Sequence, residues 1–256
     1  MKLHDVMRNP RLKVRRANIH IETLASETFP LSRDLYEITN VIRRSNVLLA
    51  KPDCVDVVYR PTAPIKEHFG AIIGDVVNNL RESLDYWIRN AFRSIGRNEK
   101  AYFPFSEKRE DLETSPRYPK IRKAFPEFAE FIAKNIEPCR DTNLDLWAVT
   151  SLCNDNKHQD FLPAVMVADI ENINIRNGFH VVSDCSIGCD AECTSIILRQ
   201  RRPSIITGDY SASVDIKFPK GAIYENKPVI PTLRNMSNVV SQTLSELENF
   251  IAPYCK

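Results

Sequence analysis

The feature that most constrains this chain is a long segment of apolar residues at helical spacing, between about Ile65 and Phe92. Residues three and four apart share one face of a helix, so this spacing predicts a helix with one buried side. Gly96 follows the segment and predicts its end. The apolar stripe consists of Ile72, Ile73, Val76, Val77, Leu80, Leu84, Trp87, Ile88 and Ala91.

The remaining segments predict an α+β protein. Helical spacing recurs over residues 11–28, in "EFAEFIAKNIEP", in "TNLDLWAVTSLCNDNKHQ" and in "PTLRNMSNVVSQTLSELENFI". "DLYEITNVIRRSN" and "CVDVVYRP" predict an N-terminal β-hairpin, and the β-rich segments after Asp160 predict an antiparallel sheet. We therefore expect a helical bundle with an N-terminal β-hairpin, and a C-terminal antiparallel β-sheet closed by a final helix. The helical region with the hairpin would span residues 1–160, and the β-rich region plus C-terminal helix 161–256, packed as one unit.

Composition excludes several classes of protein. Among 256 residues, 43% are hydrophobic and 27% charged, as in ordinary soluble domains. A formal net charge of +2 provides no global field, so nucleic-acid binding would need a local basic patch. The short apolar runs and the polar N-terminus predict a cytoplasmic protein without a membrane partner. The 7 glycines form neither GxGxxG nor GxxxxGK, and we expect no cofactor.

Two polar clusters interrupt the apolar pattern. The first lies in the middle of the long helix and comprises Asn78, Asn79, Arg81, Glu82 and Asp85. Arg81 and Asp85 predict either a structural ion pair or a guanidinium that binds a phosphate and is oriented by the carboxylate. The second cluster is "NDNKH" at residues 154–158. Its histidine is either an acid or base near neutral pH or part of a solvated helix end.

The ordered motifs resemble a widespread, uncharacterised bacterial and phage family. Its long helix carries a GD-hydrophobic-HNLRSALDH pattern and a later helix carries a DKH motif. Here "GDVVNNLRESLDY" and "NDNKH" stand in those places, and the resemblance covers roughly residues 11–165. Arg81, Leu84, Asp85, Lys157 and His158 match the pattern, whereas Asn78 and Tyr86 replace its two histidines.

The family pattern is distantly similar to the arginine-then-histidine signature of HEPN domains, which are helical proteins that include metal-independent RNases acting as dimers. This resemblance implies a HEPN-like protein that binds or cleaves RNA, with a phage or defence association and a homodimeric state. Arg81, Asp85 and His158 would be catalytic. The substrate-binding residues would be Asn78, Asn79, Tyr86, Lys157 and Asn154. The ribose 2′-OH would attack the phosphate while Arg81 stabilises the developing charge.

Two alternatives stay open. The loss of both family histidines favours a non-catalytic module that binds a protein partner and in which the polar helix cluster is structural. Separately, His180, Cys185, Cys189 and Cys193 lie within one short segment and are good zinc ligands, although their spacing is uncommon for zinc sites. Buried, reduced cysteines are the alternative interpretation of this segment.

Overall fold

The computed structural model describes residues 1–28, 36–43, 54–61, 68–158, 165–177, 180–190, 195–200, 203–207, 211–219 and 221–255; for 156–158 and for much of the strands it describes the backbone alone. The helices are α1 (Leu3–Thr28), α2 (His68–Ser94), α3 (Tyr118–Ala124), α4 (Pro126–Phe131), α5 (Leu144–His158) and α6 (Val229–Ile251). The strands are β1 (Tyr36–Arg43), β2 (Cys54–Pro61), β3 (Val165–Asn177), β4 (His180–Asp190), β5 (Ser195–Gln200), β6 (Ile205–Thr207) and β7 (Ser211–Lys217).

The chain forms two compact units, each assembled from separate stretches of sequence. The helical unit contains Met1–Thr23, Gly70–Leu162 and Ile230–Lys256. The strand unit contains Leu24–Phe69 and Pro163–Val229. This division differs from the predicted boundary near residue 160, because the hairpin groups with the later strands and the final helix groups with the earlier helices.

Side-chain contacts join the helices of the helical unit to one another. Asn90 of α2 donates to the carbonyl of Val6 on α1 at 2.9 Å. Ser237 of α6 donates to Asn18 of α1 at 2.6 Å. Aromatic rings fill the space around α4, with the Phe128 ring 4.8 Å from that of Trp87 and 5.5 Å from that of Phe250. The apolar stripe predicted for α2 is buried except at Ile72, which is partly exposed.

The described strands form two antiparallel sheets. One has the order β1-β2-β5, and in the other β3 pairs with β4, β6 and β7. The side chain of Asp56 on β2 is fully buried and receives two hydrogen bonds, of 2.7 and 3.1 Å, from Arg199 on β5. This bidentate pair satisfies the buried carboxylate and joins the hairpin to a distant strand.

The mixed α+β class and the antiparallel hairpin of β1 and β2 are confirmed. The bundle arrangement and the closure of the sheet by the final helix stay predictions. The predicted end of α2 is also confirmed, because Gly96 has a φ of +79°, a left-handed conformation that favours glycine after a helix. None of the helices in the described part of the chain is long and apolar enough to cross a bilayer.

The packing predicts unequal effects of the same substitution at two leucines of the helical unit. Leu247 is fully buried, whereas Leu12 is 50% exposed. Leu247→Ala should lower the free energy of unfolding by about 2–5 kcal/mol because it leaves a cavity. Leu12→Ala should change it by less than about 0.5 kcal/mol. Urea unfolding followed by circular dichroism measures both, and equal effects would contradict the assigned burial.

Candidate functional site

The middle of α2 holds an arginine and an aspartate that bind the backbone of Phe103. The N–H of Phe103 donates to Asp85 Oδ1 at 2.8 Å. Arg81 Nη2 donates to the carbonyl of Phe103 at 3.2 Å and lies 3.2 Å from Asp85 Oδ1. Arg117 Nη1 donates to the same carbonyl at 3.2 Å. We call this arrangement of Arg81, Asp85 and Arg117 around the Phe103 backbone the Phe103 clamp.

Burial dominates the electrostatics of Arg81. Its side chain is only 6% exposed, and its guanidinium carbon lies 4.5 Å from the centroid of the Phe105 ring. Burial lowers the pKa of Arg81 to about 10, while neighbouring Asp85 acts in the opposite direction. Arg81 therefore remains protonated at neutral pH. Its Nη1 is buried and has no hydrogen-bond partner among the described residues.

The other polar residues predicted on α2 contact protein groups. Asn78 accepts a hydrogen bond from the Sγ of Cys153 on α5 at 2.9 Å, which links two helices. Asn79 donates to the carbonyl of Asp75, one turn earlier in its own helix, at 2.7 Å. Tyr86 lies beside two cations, with Lys13 Nζ at 6.0 Å and the Arg89 guanidinium at 5.6 Å from its ring centroid. Tyr86 thus contacts cations of the protein itself, and its predicted role in substrate binding stays a prediction.

The second predicted cluster lies at the end of α5. Asn154 is exposed and lines a cavity together with Asp155. Lys157 and His158 belong to the last turn of the helix, but their side chains lie outside the described part of the structure. The structure therefore brings Arg81 and Asp85 together, and the predicted contribution of His158 stays a prediction.

The backbone argues against the zinc alternative. His180 is the first residue of β4 and Cys189 the last but one, so an extended strand separates them by about 30 Å. Zinc holds its nitrogen and sulfur ligands at about 2.0–2.3 Å, which requires ligand residues close to one another. Cys193 lies outside the residues that the structure describes, and for His180, Cys185 and Cys189 it describes the backbone alone. Among the described residues, no group of three or more histidine, cysteine or acidic side chains could hold a metal ion.

A cavity of about 440 Å³ lies at the C-terminal end of α2 and carries three cations. We call it the basic cavity. Tyr102 contributes an aromatic ring that is 47% exposed, and Glu99 contributes the one carboxylate of the lining. Arg89 Nε is buried without a hydrogen-bond partner in the described structure. The lining residues are Arg89, Arg93, Asn98, Glu99, Lys100 and Tyr102.

A second cavity, of about 380 Å³, lies between α5 and two loops. We call it the hydroxyl cavity, because small hydroxyl and amide side chains dominate its surface. Trp147 and Phe105 add aromatic walls. Its lining comprises Phe105, Ser106, Glu107, Ser115, Pro116, Arg117, Trp147, Thr150, Ser151, Asn154 and Asp155.

The Phe103 clamp connects the two cavities. Phe103 lies between Tyr102, which lines the basic cavity, and Phe105, which lines the hydroxyl cavity. Arg117 lines the hydroxyl cavity, and its guanidinium carbon lies 5.7 Å from the centroid of the Tyr102 ring. The polar groups on α2 therefore fix a loop segment that forms a wall of each cavity.

Sequence reasoning missed the basic cavity. Arg89 and Arg93 share one helix face because they are four residues apart, and this spacing in the sequence predicts two neighbouring cations. Lys100 and Tyr102 reach the same place only because the chain turns at Gly96, where the helix ends. No local pattern indicates where the chain goes after such a turn.

Comparisons of this chain with protein-family models, curated proteins and solved structures find no match. The HEPN-like interpretation therefore rests on the motifs quoted from the sequence. Functional arguments must come from the geometry of the site itself.

The clamp predicts a large loss of stability when Asp85 is replaced. Asp85→Ala leaves the buried Arg81 charge without its counter-ion and the Phe103 N–H without its acceptor, and should cost about 3–5 kcal/mol. The double variant Arg81→Met, Asp85→Leu should cost less than the sum of the two single changes, because no buried charge remains. Urea unfolding of all variants measures the coupling.

A matched control for this experiment lies on α4 and the turn that follows it. Glu130 and Lys134 form an ion pair with the same spacing, but their side chains are 62% and 67% exposed. Glu130→Ala should leave the unfolding midpoint nearly unchanged, because water screens the pair. If Asp85→Ala were no more destabilising than this control, the clamp would not hold the loop.

Proposed function

We propose that this protein binds single-stranded RNA through the basic cavity, and that the polar cluster on α2 has an architectural role. The observation that carries the proposal is the presence of three cations and one exposed tyrosine around a single cavity. Single-stranded nucleic acid is held by cationic grooves that contact phosphates and by aromatic rings on which bases stack. The basic cavity offers both features.

The position of the charges supports phosphate binding. Arg89 and Arg93 present two guanidinium groups from one face of α2, and Lys100 adds an ammonium group from the following loop. A guanidinium fork matches the oxygens of a phosphate and binds them in a bidentate manner. Since the net charge of the chain is only +2, a polyanion needs a local concentration of cations, and the basic cavity supplies one.

The environment of Arg81 supports an architectural role for the motif. Its guanidinium donates to the Phe103 carbonyl, pairs with Asp85 and covers the Phe105 ring. A cation that stabilises a transition state must be open to the substrate phosphate, whereas this side chain is buried. The replacement of the family histidines by Asn78 and Tyr86 points in the same direction, because neither residue is a good base at neutral pH.

RNA cleavage is the second candidate, and one observation favours it. Arg81 Nη1 is a buried donor without a partner among the described residues, as a group reserved for a substrate would be. In that mechanism His158 would act as the acid or base and no metal would be required. Both candidates include a HEPN-like bundle, a homodimer and a role in phage defence, which rest on the family resemblance. Both also include a cytoplasmic location, which rests on the short apolar runs and the polar N-terminus.

RNA binding should depend on Arg93. Arg93→Gln removes one phosphate contact, so affinity should fall for all RNA sequences alike, and the slope of log K against log salt should decrease by about 0.7. Fluorescence anisotropy of labelled oligonucleotides at several salt concentrations measures both quantities. Arg122→Gln on α3 is the matched control, since Arg122 is exposed and does not line the cavity. Equal behaviour of the two variants would contradict the proposed site.

The purified protein should not cleave a labelled, mixed RNA pool in EDTA. The decisive variants are Arg81→Lys, which keeps the charge but loses the planar fork, and His158→Ala. Cleavage by the wild type that both variants lose, with their folds intact by circular dichroism, would establish the second candidate. Cleavage that persists unchanged in both variants would indicate a contaminating nuclease.

A further inference from the structure

The hydroxyl cavity contains polar side chains that the protein itself does not use. The structure gives Thr150, Ser151, Asn154 and Asp155 no side-chain hydrogen bond or ion pair with a described residue, and all four are at least partly exposed to the cavity. Ser115 Oγ, on the opposite wall, is buried and lacks a partner in the described structure. A buried polar atom without a partner is rare in folded proteins, so the Ser115 hydroxyl calls for a physical explanation.

Other helical hydroxyls of this chain behave differently. Thr28, Ser241 and Thr243 each donate to the backbone carbonyl four residues earlier, at 2.7 to 2.9 Å. This bond is the usual way for a helix to satisfy a serine or threonine side chain. Thr150 and Ser151 lie in the middle of α5 and do not make it. Their donors are therefore available to a group inside the cavity.

The spacing along α5 shows that these residues form one surface. Trp147, Thr150, Ser151 and Asn154 follow the spacing of a single helix face. Such a face is normally either apolar and packed or charged and solvated. Here it carries an aromatic ring at one end and small polar groups along its length, beneath the walls formed by Phe105 and Ser115. The volume of the cavity, about 380 Å³, lies within the range of small-molecule sites, which is about 300–1,000 Å³.

The hydroxyl cavity carries charges of both signs. Glu107 pairs with Arg140 at 3.3 Å, and Arg117 donates to the Phe103 carbonyl. The Asp155 carboxylate lines the same cavity and can accept hydrogen bonds. A planar, uncharged group with amino hydrogens would find an acceptor here.

We infer that the hydroxyl cavity binds a nucleobase that carries an exocyclic amino group. The base would stack on Phe105, and its amino edge would donate to Asp155 and meet the amide of Asn154. Carboxylates accept hydrogen bonds from amino groups of bases, and amides pair with adenine, so these residue types suit that edge. The base comes either from a free nucleoside or from a bound RNA strand. The second source rests on the proposed function, whereas the first does not.

The direct test is calorimetric titration of the full-length protein with guanosine, adenosine, cytidine and uridine. At least one amino-bearing nucleoside should bind about tenfold more tightly than uridine, because uracil lacks the amino group that Asp155 would accept. Asp155→Leu should remove this preference without unfolding the protein, since leucine has a similar size but no hydrogen-bond acceptor. Equal binding of all four nucleosides, or a preference that survives in Asp155→Leu, would overturn the assignment.

A cavity-filling variant provides the second test. Ser151→Leu should occupy the cavity and abolish nucleoside binding, whereas Ser245→Leu on the exposed face of α6 is the matched control and should not. Binding that survives in Ser151→Leu, with the fold intact by circular dichroism, would place the nucleoside elsewhere. If Ser151→Leu fails to fold, the result with Asp155→Leu decides.

RNA oligonucleotides separate this inference from the proposed function. A strand containing adenine, cytosine and guanine should bind more tightly than an all-uracil strand, and Asp155→Leu should remove the difference while Arg93→Gln weakens both strands. RNA binding without any discrimination by base would overturn the inference and leave the proposed function standing. Nucleoside binding without RNA binding would identify the free nucleoside as the source and overturn the proposed function. The absence of both would overturn both.

Discussion

The hydrogen bonds that Arg81, Asp85 and Arg117 make with the backbone of Phe103 are the interaction on which the candidate site depends. Asp85 accepts from the Phe103 N–H, while both arginines donate to its carbonyl. A loop backbone that passes through a protein interior must have its polar groups satisfied, and here side chains of α2 replace the partners that a sheet would supply. Both polar groups of this buried residue are thus paired.

Burying a charged pair is costly, and the arrangement around Arg81 shows how that cost is offset. Desolvation lowers its pKa to about 10, yet Asp85, the Phe103 carbonyl and the Phe105 ring all stabilise the cation. Buried ion pairs often add little net stability but specify one arrangement of the chain. In this protein the arrangement they specify is the path of the loop that carries Tyr102 to the basic cavity and Phe105 to the hydroxyl cavity.

The spacing of apolar residues along the sequence predicted those helices and strands that are stabilised by burying one face. The stripe of α2 and its end at Gly96 were readable because apolar spacing and a left-handed glycine are local signals. The hairpin was readable for the same reason. The pairing of this hairpin with β5 was not readable, because Asp56 and Arg199 meet across 143 residues of sequence. Pairing at such a distance depends on how the whole chain is arranged.

The sequence by itself determined the α+β class, the long helix and the polar cluster within it, because these follow from composition and periodicity. The sequence left open whether Arg81 binds a substrate or stabilises the fold, since an amphipathic helix has the same residue pattern in both cases. Only the tertiary structure decided that Arg81 and Asp85 bind the backbone of Phe103. Only the tertiary structure placed Arg89, Lys100 and Tyr102 around one cavity. The physical reason is that hydrogen-bond partners and cavity walls come from residues far apart in sequence, whose proximity depends on packing.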